Sequence, residues 1–126
     1  MIVVDTSALM AILLGEAEAD RCADVLEAED KILISAGTMA EALIVASRRN
    51  RKDEMEKLIA GLGFEIIGVT PAAVQNVVQA YETLGKGIHP SALNFGDCFA
   101  YALAKERGCR LLYVGENFAR TDLERA

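Results

Sequence analysis

Four acidic residues of this sequence stand where a folded chain could gather them in one place. Asp5 directly follows the apolar residues 2–4, and an apolar stretch resumes soon after it. Glu41 and Asp97 each lie near the predicted start of a helix, and Glu116 follows an apolar run near the end of the chain. A carboxylate between two apolar segments needs a partner, because burying an unpaired charge is unfavourable.

A shared metal ion would explain such a group of acids. Carboxylates that lie close together raise one another's pKa, and a divalent cation between them relieves the repulsion. Hard oxygen donors without Cys or His beside them indicate Mg²⁺ or Mn²⁺ rather than zinc. A cation held by few carboxylates keeps part of its water shell, which suits it to hydrolysis. The acids therefore suggest metal-dependent hydrolysis of a phosphodiester as a hypothesis.

Each acid also has a purely local explanation as a helix cap. Asp5 can cap the helix that follows it. Glu41 stands three residues after Thr38, which is the spacing of a capping box, and Asp97 has the same spacing from Asn94. Taken singly, each acid is better explained by capping, whereas their coincidence favours a common site.

The elements that must position these acids follow from the hydrophobic pattern. Short apolar runs predict buried strands at residues 2–4, 32–34, 66–69 and 111–114. Segments of helical period lie at residues 7–14, 16–28, 38–49, 53–62, 71–84 and 95–107. This alternation predicts an α/β fold with a parallel sheet covered on both faces. Ligands of such sheets bind beyond the carboxyl ends of the strands, where all four acids are expected.

Composition narrows the class of protein. The chain has 126 residues, of which 52% are hydrophobic and 25% charged, so we expect residues 1–126 to form a single domain. The longest apolar run, residues 8–14, is too short to span a bilayer, and we expect no membrane association and a cytoplasmic location. The three cysteines show no paired spacing, so reduced thiols are expected.

The cations are unevenly distributed over an acidic chain. The net charge of −6 argues against broad affinity for nucleic acid. Arg48, Arg49, Arg51 and Lys52 nevertheless cluster at the end of a predicted helix. They are either a solvated helix end whose charges suit the helix dipole or a strip that contacts phosphates. Residues 85–93, GKGIHPSAL, are dense in Gly, Pro and Ser and predict a long mobile loop.

Four blocks of the sequence, taken in order, resemble a PIN domain of the VapC toxin type. The blocks read MIVVDTSALMAILLGE, ISAGTMAEALIV, HPSALNFGDCFAYALAKERG and LLYVGENFARTDL. The resemblance implies a three-layer α/β/α fold around a central parallel sheet of four to five short strands. It also implies the toxin component of a type II toxin–antitoxin system, an endoribonuclease that depends on Mg²⁺ or Mn²⁺.

The same resemblance implies roles for individual residues. Asp5 and Asp97 match the principal metal ligands, and Glu41 would bind the metal through a water or act as a base. Glu116 occupies the fourth acidic position, where relatives carry GDDF or GNDF and this chain has GENF. Its longer side chain predicts a shifted or looser second metal. The positions that would support the site are Thr6, Ser7 and Asn117.

Partners are implied in the same way. The resemblance implies a VapB-type antitoxin that inhibits the enzyme, a homodimer, and a heterotetramer or larger complex with the antitoxin. It implies a structured RNA such as tRNA as substrate, and an acidic protein suits recognition of RNA shape. The candidate RNA contacts are Arg48, Arg49, Lys86, His89 and Arg120.

Two other functions remain open at this point. A receiver-like phosphotransfer domain would use Asp5 or a neighbouring acid as its acceptor, but the acid that usually ends the third strand is replaced here by residues 68–70, GVT. A PIN domain that binds protein or RNA without cleaving it is the second, although the carboxylate of Glu116 argues against loss of activity. Incubation with a small phosphodonor tests the first alternative, and calorimetry with Mn²⁺ tests the second.

Overall fold

The computed structural model describes residues 1–126 and has four short parallel strands at its centre. The strands are β1 (Ile2–Val4), β2 (Ile32–Ser35), β3 (Glu65–Ile67) and β4 (Arg110–Leu112). They form one sheet in the order β3-β2-β1-β4, so β1 lies between β2 and β4. All three pairings are parallel. The predicted parallel α/β architecture is confirmed, with four strands.

Six α-helices and a short 3₁₀ turn surround the sheet. The helices are α1 (Thr6–Leu14), α2 (Ala19–Ala28), α3 (Ala36–Arg48), α4 (Lys52–Gly61), α5 (Pro71–Leu84) and α6 (Phe95–Arg107), and the 3₁₀ turn is Phe118–Arg120. Each predicted helix is present, with ends that differ by up to three residues. None of these helices is both long and apolar enough to traverse a membrane.

The sheet is packed on both faces because successive side chains of a strand point to opposite sides. Ile2 and Val4 belong to the core cluster that contacts α1 to α4. Val3, between them in β1, belongs to the cluster with α5 and α6. Cys22 and Cys98 are buried in these two clusters, and no cysteine forms a disulfide. This arrangement is the predicted three-layer α/β/α fold.

The prediction that the third strand is buried was wrong. β3 is an edge strand paired only with β2, and the side chain of Ile66 is 51% exposed. An apolar run alone does not say whether helices will cover the strand that it forms. The sheet is therefore fully packed at β1 and open to solvent at its β3 edge.

The start of α3 also differs from the prediction. Ser35, the last residue of β2, is the N-cap, and its hydroxyl accepts a hydrogen bond from the Gly37 N–H at 3.2 Å. The helix therefore begins at Ala36 with no intervening loop. Thr38 lies fully buried in the first turn and forms no capping box with Glu41. Glu41 consequently sits on the second turn rather than the first.

The Gly-rich segment predicted as a loop connects α5 to α6 and is closed on itself. A parallel bridge joins Gly85 to Leu93. Ser91 is fully buried, and its hydroxyl donates to the Leu84 carbonyl at 2.9 Å. The ring nitrogen Nδ1 of His89 accepts the Ser91 N–H at 3.0 Å.

Candidate active site

Asp5 is buried at the carboxyl end of β1, where it caps α1. Its Oδ2 accepts hydrogen bonds from the Ser7 N–H at 2.9 Å and from the Ser7 hydroxyl at 2.6 Å. The residue is only 2% exposed, and Oδ1 has no hydrogen-bond partner. Buried acceptors are nearly always paired, and a cap needs only one oxygen. Capping therefore accounts for Oδ2 and leaves Oδ1 for a ligand.

The two hydroxyl residues after Asp5 each hold one of the acids. The Ser7 hydroxyl, which donates to Asp5, accepts the Val114 N–H at 3.0 Å and so ties the end of β1 to the segment after β4. The Thr6 hydroxyl donates to Oε1 of Glu41 at 2.6 Å. The predicted supporting positions thus have distinct contacts: Ser7 orients Asp5, and Thr6 orients Glu41.

Gly96 is part of this site and was missed by the sequence analysis. The Glu41 carboxylate lies against the Gly96 backbone, and a β-carbon built on Gly96 would overlap it. Glycine is among the poorest helix formers, so its presence in the first turn of α6 needs another cause. The available signal was a helical glycine directly before Asp97.

Asp97 is held at the start of α6 by the predicted capping box, which is confirmed. The Asn94 N–H donates to Oδ2 of Asp97, and the Asp97 N–H donates to Oδ1 of Asn94, both at 3.0 Å. Burial raises the pKa of Asp97, whereas the Asn94 N–H and the Asn117 side chain act to lower it. The carboxylate is thus fixed in position by its own helix.

Three of the four predicted acids line one cleft of about 210 Å³, here named the acid cleft. The polar residues that line it are Asp5, Ser7, Asn94, Asp97, Glu116 and Asn117. Glu116 and Asn117 are exposed at its rim. As the side chains stand, no three Asp, Glu, His or Cys residues converge closely enough to hold one metal ion.

Glu41 lines a neighbouring and mostly apolar cleft of about 270 Å³, here named the apolar cleft. Its other walls come from Gly37, Ala40, Ile44, Phe95, Gly96 and Phe99. Glu41 still interacts electrostatically with Asp5 and Asp97. The structure therefore brings all four acids to one edge of the sheet, with Asp5, Asp97 and Glu116 in the acid cleft and Glu41 in the apolar cleft.

Burial makes the central carboxylates weaker acids than usual. The pKa of Asp5 rises from 3.8 to about 7, mainly because burial disfavours the charged form, and Asp97 and Glu41 add repulsion against the opposing effect of the Ser7 hydrogen bonds. Burial is also the main cause of the raised pKa of Glu41. An unpaired buried oxygen among mutually repelling carboxylates fits a hard divalent cation.

None of the five candidate RNA contacts lines either cleft. Arg48 and Arg49 are exposed at the end of α3, about 10 Å along the helix axis from Glu41. Lys86 is exposed at the start of the loop between α5 and α6. These three side chains are accessible to an RNA that extends beyond the clefts.

The other two candidates have partners within the chain. His89 accepts a hydrogen bond through Nδ1 from Ser91, which leaves only its Nε2 for an external ligand. Arg120 donates to the Pro90 carbonyl at 3.2 Å. This bond ties the 3₁₀ turn that follows the acid cleft to the loop between α5 and α6.

Comparison with known proteins gives consistent similarities over nearly the whole chain. A family model described as PIN domain matches residues 2–124. Ribonuclease VapC30 of Mycobacterium tuberculosis is 37% identical over 124 residues, which is 96% of this chain and 95% of the relative. Ribonuclease VapC36 of the same organism is 38% identical over 126 residues, covering 97% and 91%.

Two solved structures share the fold. VapC20 of Mycobacterium tuberculosis, described as a sarcin-ricin loop cleaving toxin, matches with a TM-score of 0.77 at 19% identity and covers 100% of this chain and 98% of its own. VapBC2 of Rickettsia felis, solved with a promoter DNA fragment, matches with a TM-score of 0.71 at 21% identity, covering 100% and 98%. Both alignments span the acid cleft and the apolar cleft.

Proposed function

Because this chain belongs to the PIN domain family and, within it, to the VapC ribonucleases, we propose that it is a type II toxin that cleaves RNA internally. The observation that carries this proposal is Oδ1 of Asp5, a buried carboxylate oxygen without a partner beside other acids. We further propose that residues 1–126 act as one catalytic domain in the cytoplasm.

The residues of the acid cleft suit Mg²⁺ or Mn²⁺ as the cofactor. Asp5 and Asp97 would be its direct ligands, because they face one cleft and their repulsion would be relieved by a cation. Glu116, exposed at the rim, would contribute an outer ligand. When bound, the cation would stabilise the negative charge that develops on the phosphoryl oxygens.

The remaining residues would position and transfer protons. Ser7 keeps Oδ2 of Asp5 in place, so that Oδ1 stays directed to the ligand. Thr6 engages Oε1 of Glu41 and so orients the carboxylate that would accept a proton from the attacking water. As the water oxygen bonds to phosphorus, the bond from phosphorus to the leaving sugar oxygen breaks, and the sugar oxygen keeps the electron pair of that bond and takes a proton from solvent. Burial raises the pKa of Glu41 toward neutral pH, and a general base works best when its pKa is near the pH of the reaction.

The proposed partners follow from the family. We propose a VapB-type antitoxin that inhibits the enzyme, a homodimer of this chain, and a structured RNA, for example tRNA, as substrate. The shared fold with VapBC2 of Rickettsia felis supports the antitoxin. Arg48, Arg49, Lys86 and Arg120, and His89 through Nε2, remain proposed contacts to RNA outside the clefts.

The test compares two Asp→Asn variants during induced expression, with new RNA 5′ ends mapped across the transcriptome. Asp97→Asn removes an acid of the cleft. Asp122→Asn is the matched control, because Asp122 is bound outside the cleft by Lys105 and Tyr101, each at 2.7 Å. We expect new ends with the wild type and Asp122→Asn only, and Mn²⁺-dependent cleavage of the same RNA by the purified proteins. Undiminished cleavage by folded Asp97→Asn would refute the proposal.

A further inference from the structure

Phe95 is the most exposed large apolar side chain of this protein, with 68% of its surface accessible. It is the first residue of α6 and forms a wall of the apolar cleft. Its ring rests edge-on against Phe99, with 5.0 Å between the centroids and 78° between the planes. The ring is thus packed against Phe99 on one side and is otherwise largely exposed to solvent. Scattered exposed apolar residues are ordinary on protein surfaces, so the location of this one decides its meaning.

The ring shares the first turn of α6 with Asp97 and lines the same cleft as Glu41. Phe95 and Asp97 are two positions apart in the first turn of α6, about 3 Å along the axis and 200° around it. They therefore face opposite sides of that turn. The Glu41 carboxylate lies against Gly96, the residue between them in the chain. Any group that occupies the apolar cleft during cleavage is in contact with the proposed base.

The charges of the site indicate what that group is. No Lys or Arg lines either cleft, and the chain carries a net charge of −6. Release of counterions by basic residues, which drives most backbone binding, is therefore unavailable at these positions. A nucleobase is neutral and flat, and stacking on an aromatic ring holds it regardless of its identity. Phenylalanine has no polar group with which to read a base edge.

We propose that Phe95 is a stacking platform for an unpaired nucleobase next to the cleaved phosphodiester, an inference that rests on the proposed ribonuclease function. It adds a substrate-binding residue and restricts the substrate class. A base within a regular RNA helix is already stacked and paired, so the nucleotide at Phe95 must come from a loop, bulge or end. The phosphate enters the acid cleft while the neighbouring base enters the apolar cleft.

The test is a double-mutant cycle that combines a substitution at Phe95 with removal of a base from the RNA. The probe is a labelled RNA hairpin chosen because the wild type cuts it in its loop, and abasic versions are made at each nucleotide flanking the mapped cut. Phe95→Leu removes the ring, Phe95→Trp retains a stacking surface, and Tyr81→Leu removes a 40% exposed aromatic residue from α5 as the matched control. Circular dichroism and sedimentation verify the fold and the oligomeric state of every variant.

We expect Phe95→Leu to lower kcat/KM about 10-fold or more, the effect of removing one stacked base, and Phe95→Trp and Tyr81→Leu to leave it near the wild-type value. On the abasic substrate that lacks the stacked base, the wild type and Phe95→Leu should have the same low kcat/KM. The inference is overturned if Phe95→Leu cleaves normally, or if its loss is equally large on every abasic substrate. The inference is also overturned if kcat/KM falls because a dimer dissociates and the fall does not depend on which base is missing. Phe95 would then be a protein contact instead. Absence of RNA cleavage by the wild type would refute the proposed function itself, and the inference with it.

Discussion

Asp5→Asn in the metal-free protein should flatten the dependence of stability on pH. The pKa of Asp5 is about 7 in the folded chain, against an ordinary value of 3.8. Between these values the folded state holds a proton that the unfolded state releases. Stability from this group is therefore fully present below pH 3.8 and is lost as the pH rises through about 7. Asparagine does not titrate, so the variant escapes this loss.

The magnitude follows from the two pKa values. With 1.36 kcal/mol for each pKa unit, the whole contribution of Asp5 is about 4 kcal/mol. Between pH 5 and pH 8 the wild type should lose about 2.5 kcal/mol more unfolding free energy than Asp5→Asn. The useful quantity is the change in unfolding free energy between pH 5 and pH 8. Any fixed effect of placing an amide in this buried position is the same at both and cancels.

The assay is urea unfolding in EDTA at pH 5 and pH 8. Asp24→Asn is the matched control, since Asp24 is exposed in the middle of α2, and it should follow the wild type. Addition of Mn²⁺ at pH 8 should then stabilise the wild type, by about 2.7 kcal/mol at a concentration of 100 Kd, but not Asp5→Asn. Equal pH dependence of the wild type and Asp5→Asn would refute the reasoning, because it would mean that Asp5 ionises freely in the folded protein.

Two further substitutions test how the position of the Glu41 carboxylate affects RNA cleavage and the unfolding free energy. Gly96→Ala should lower RNA cleavage, because its methyl group displaces the Glu41 carboxylate, and should lower the unfolding free energy less than Thr6→Val does, because the gain in helix propensity offsets up to about 1 kcal/mol. Measured cleavage and urea unfolding test both parts, and normal cleavage would contradict the contact. Thr6→Val should also lower cleavage, by part of the roughly 10²- to 10⁴-fold that a general base contributes, and destabilise the fold by about 1–3 kcal/mol. Thr6→Ser retains the donor and should restore most of the activity, an outcome that simple loss of packing would not produce.

The acids at Asp5 and Asp97 could be predicted because their placement depends on local features. A polar residue after a buried strand lies at the carboxyl edge of a parallel sheet, and the capping box around Asp97 spans only three residues. The partners of Glu41 could not be predicted in this way. Its bond to Thr6 crosses 35 residues, and its contact with Gly96 joins α3 to α6. Such contacts exist only once the helices have packed.

Burial was less predictable than element type for the same reason. The apolar residues at 66–69 resemble those of β1 in composition, yet β1 has a strand on each side and β3 has only β2. The start of α3 shows a competition between two local signals. Ser35 supplies a cap at the strand end, which pre-empts Thr38 three residues later. The sequence contains both caps, and the position of β2 decides between them.

The bond between Ser7 and Val114 has a consequence for the order of events during synthesis. It joins two residues that are 107 positions apart in the chain. At about 5–20 residues per second, Val114 is added roughly 5–20 s after Asp5. Until then the Ser7 hydroxyl lacks the backbone partner that anchors it beside Asp5. The nascent chain therefore carries Asp5, Glu41 and Asp97 before the contact that fixes the Asp5 side chain can form, and the acid cleft is completed only after Val114 has been added.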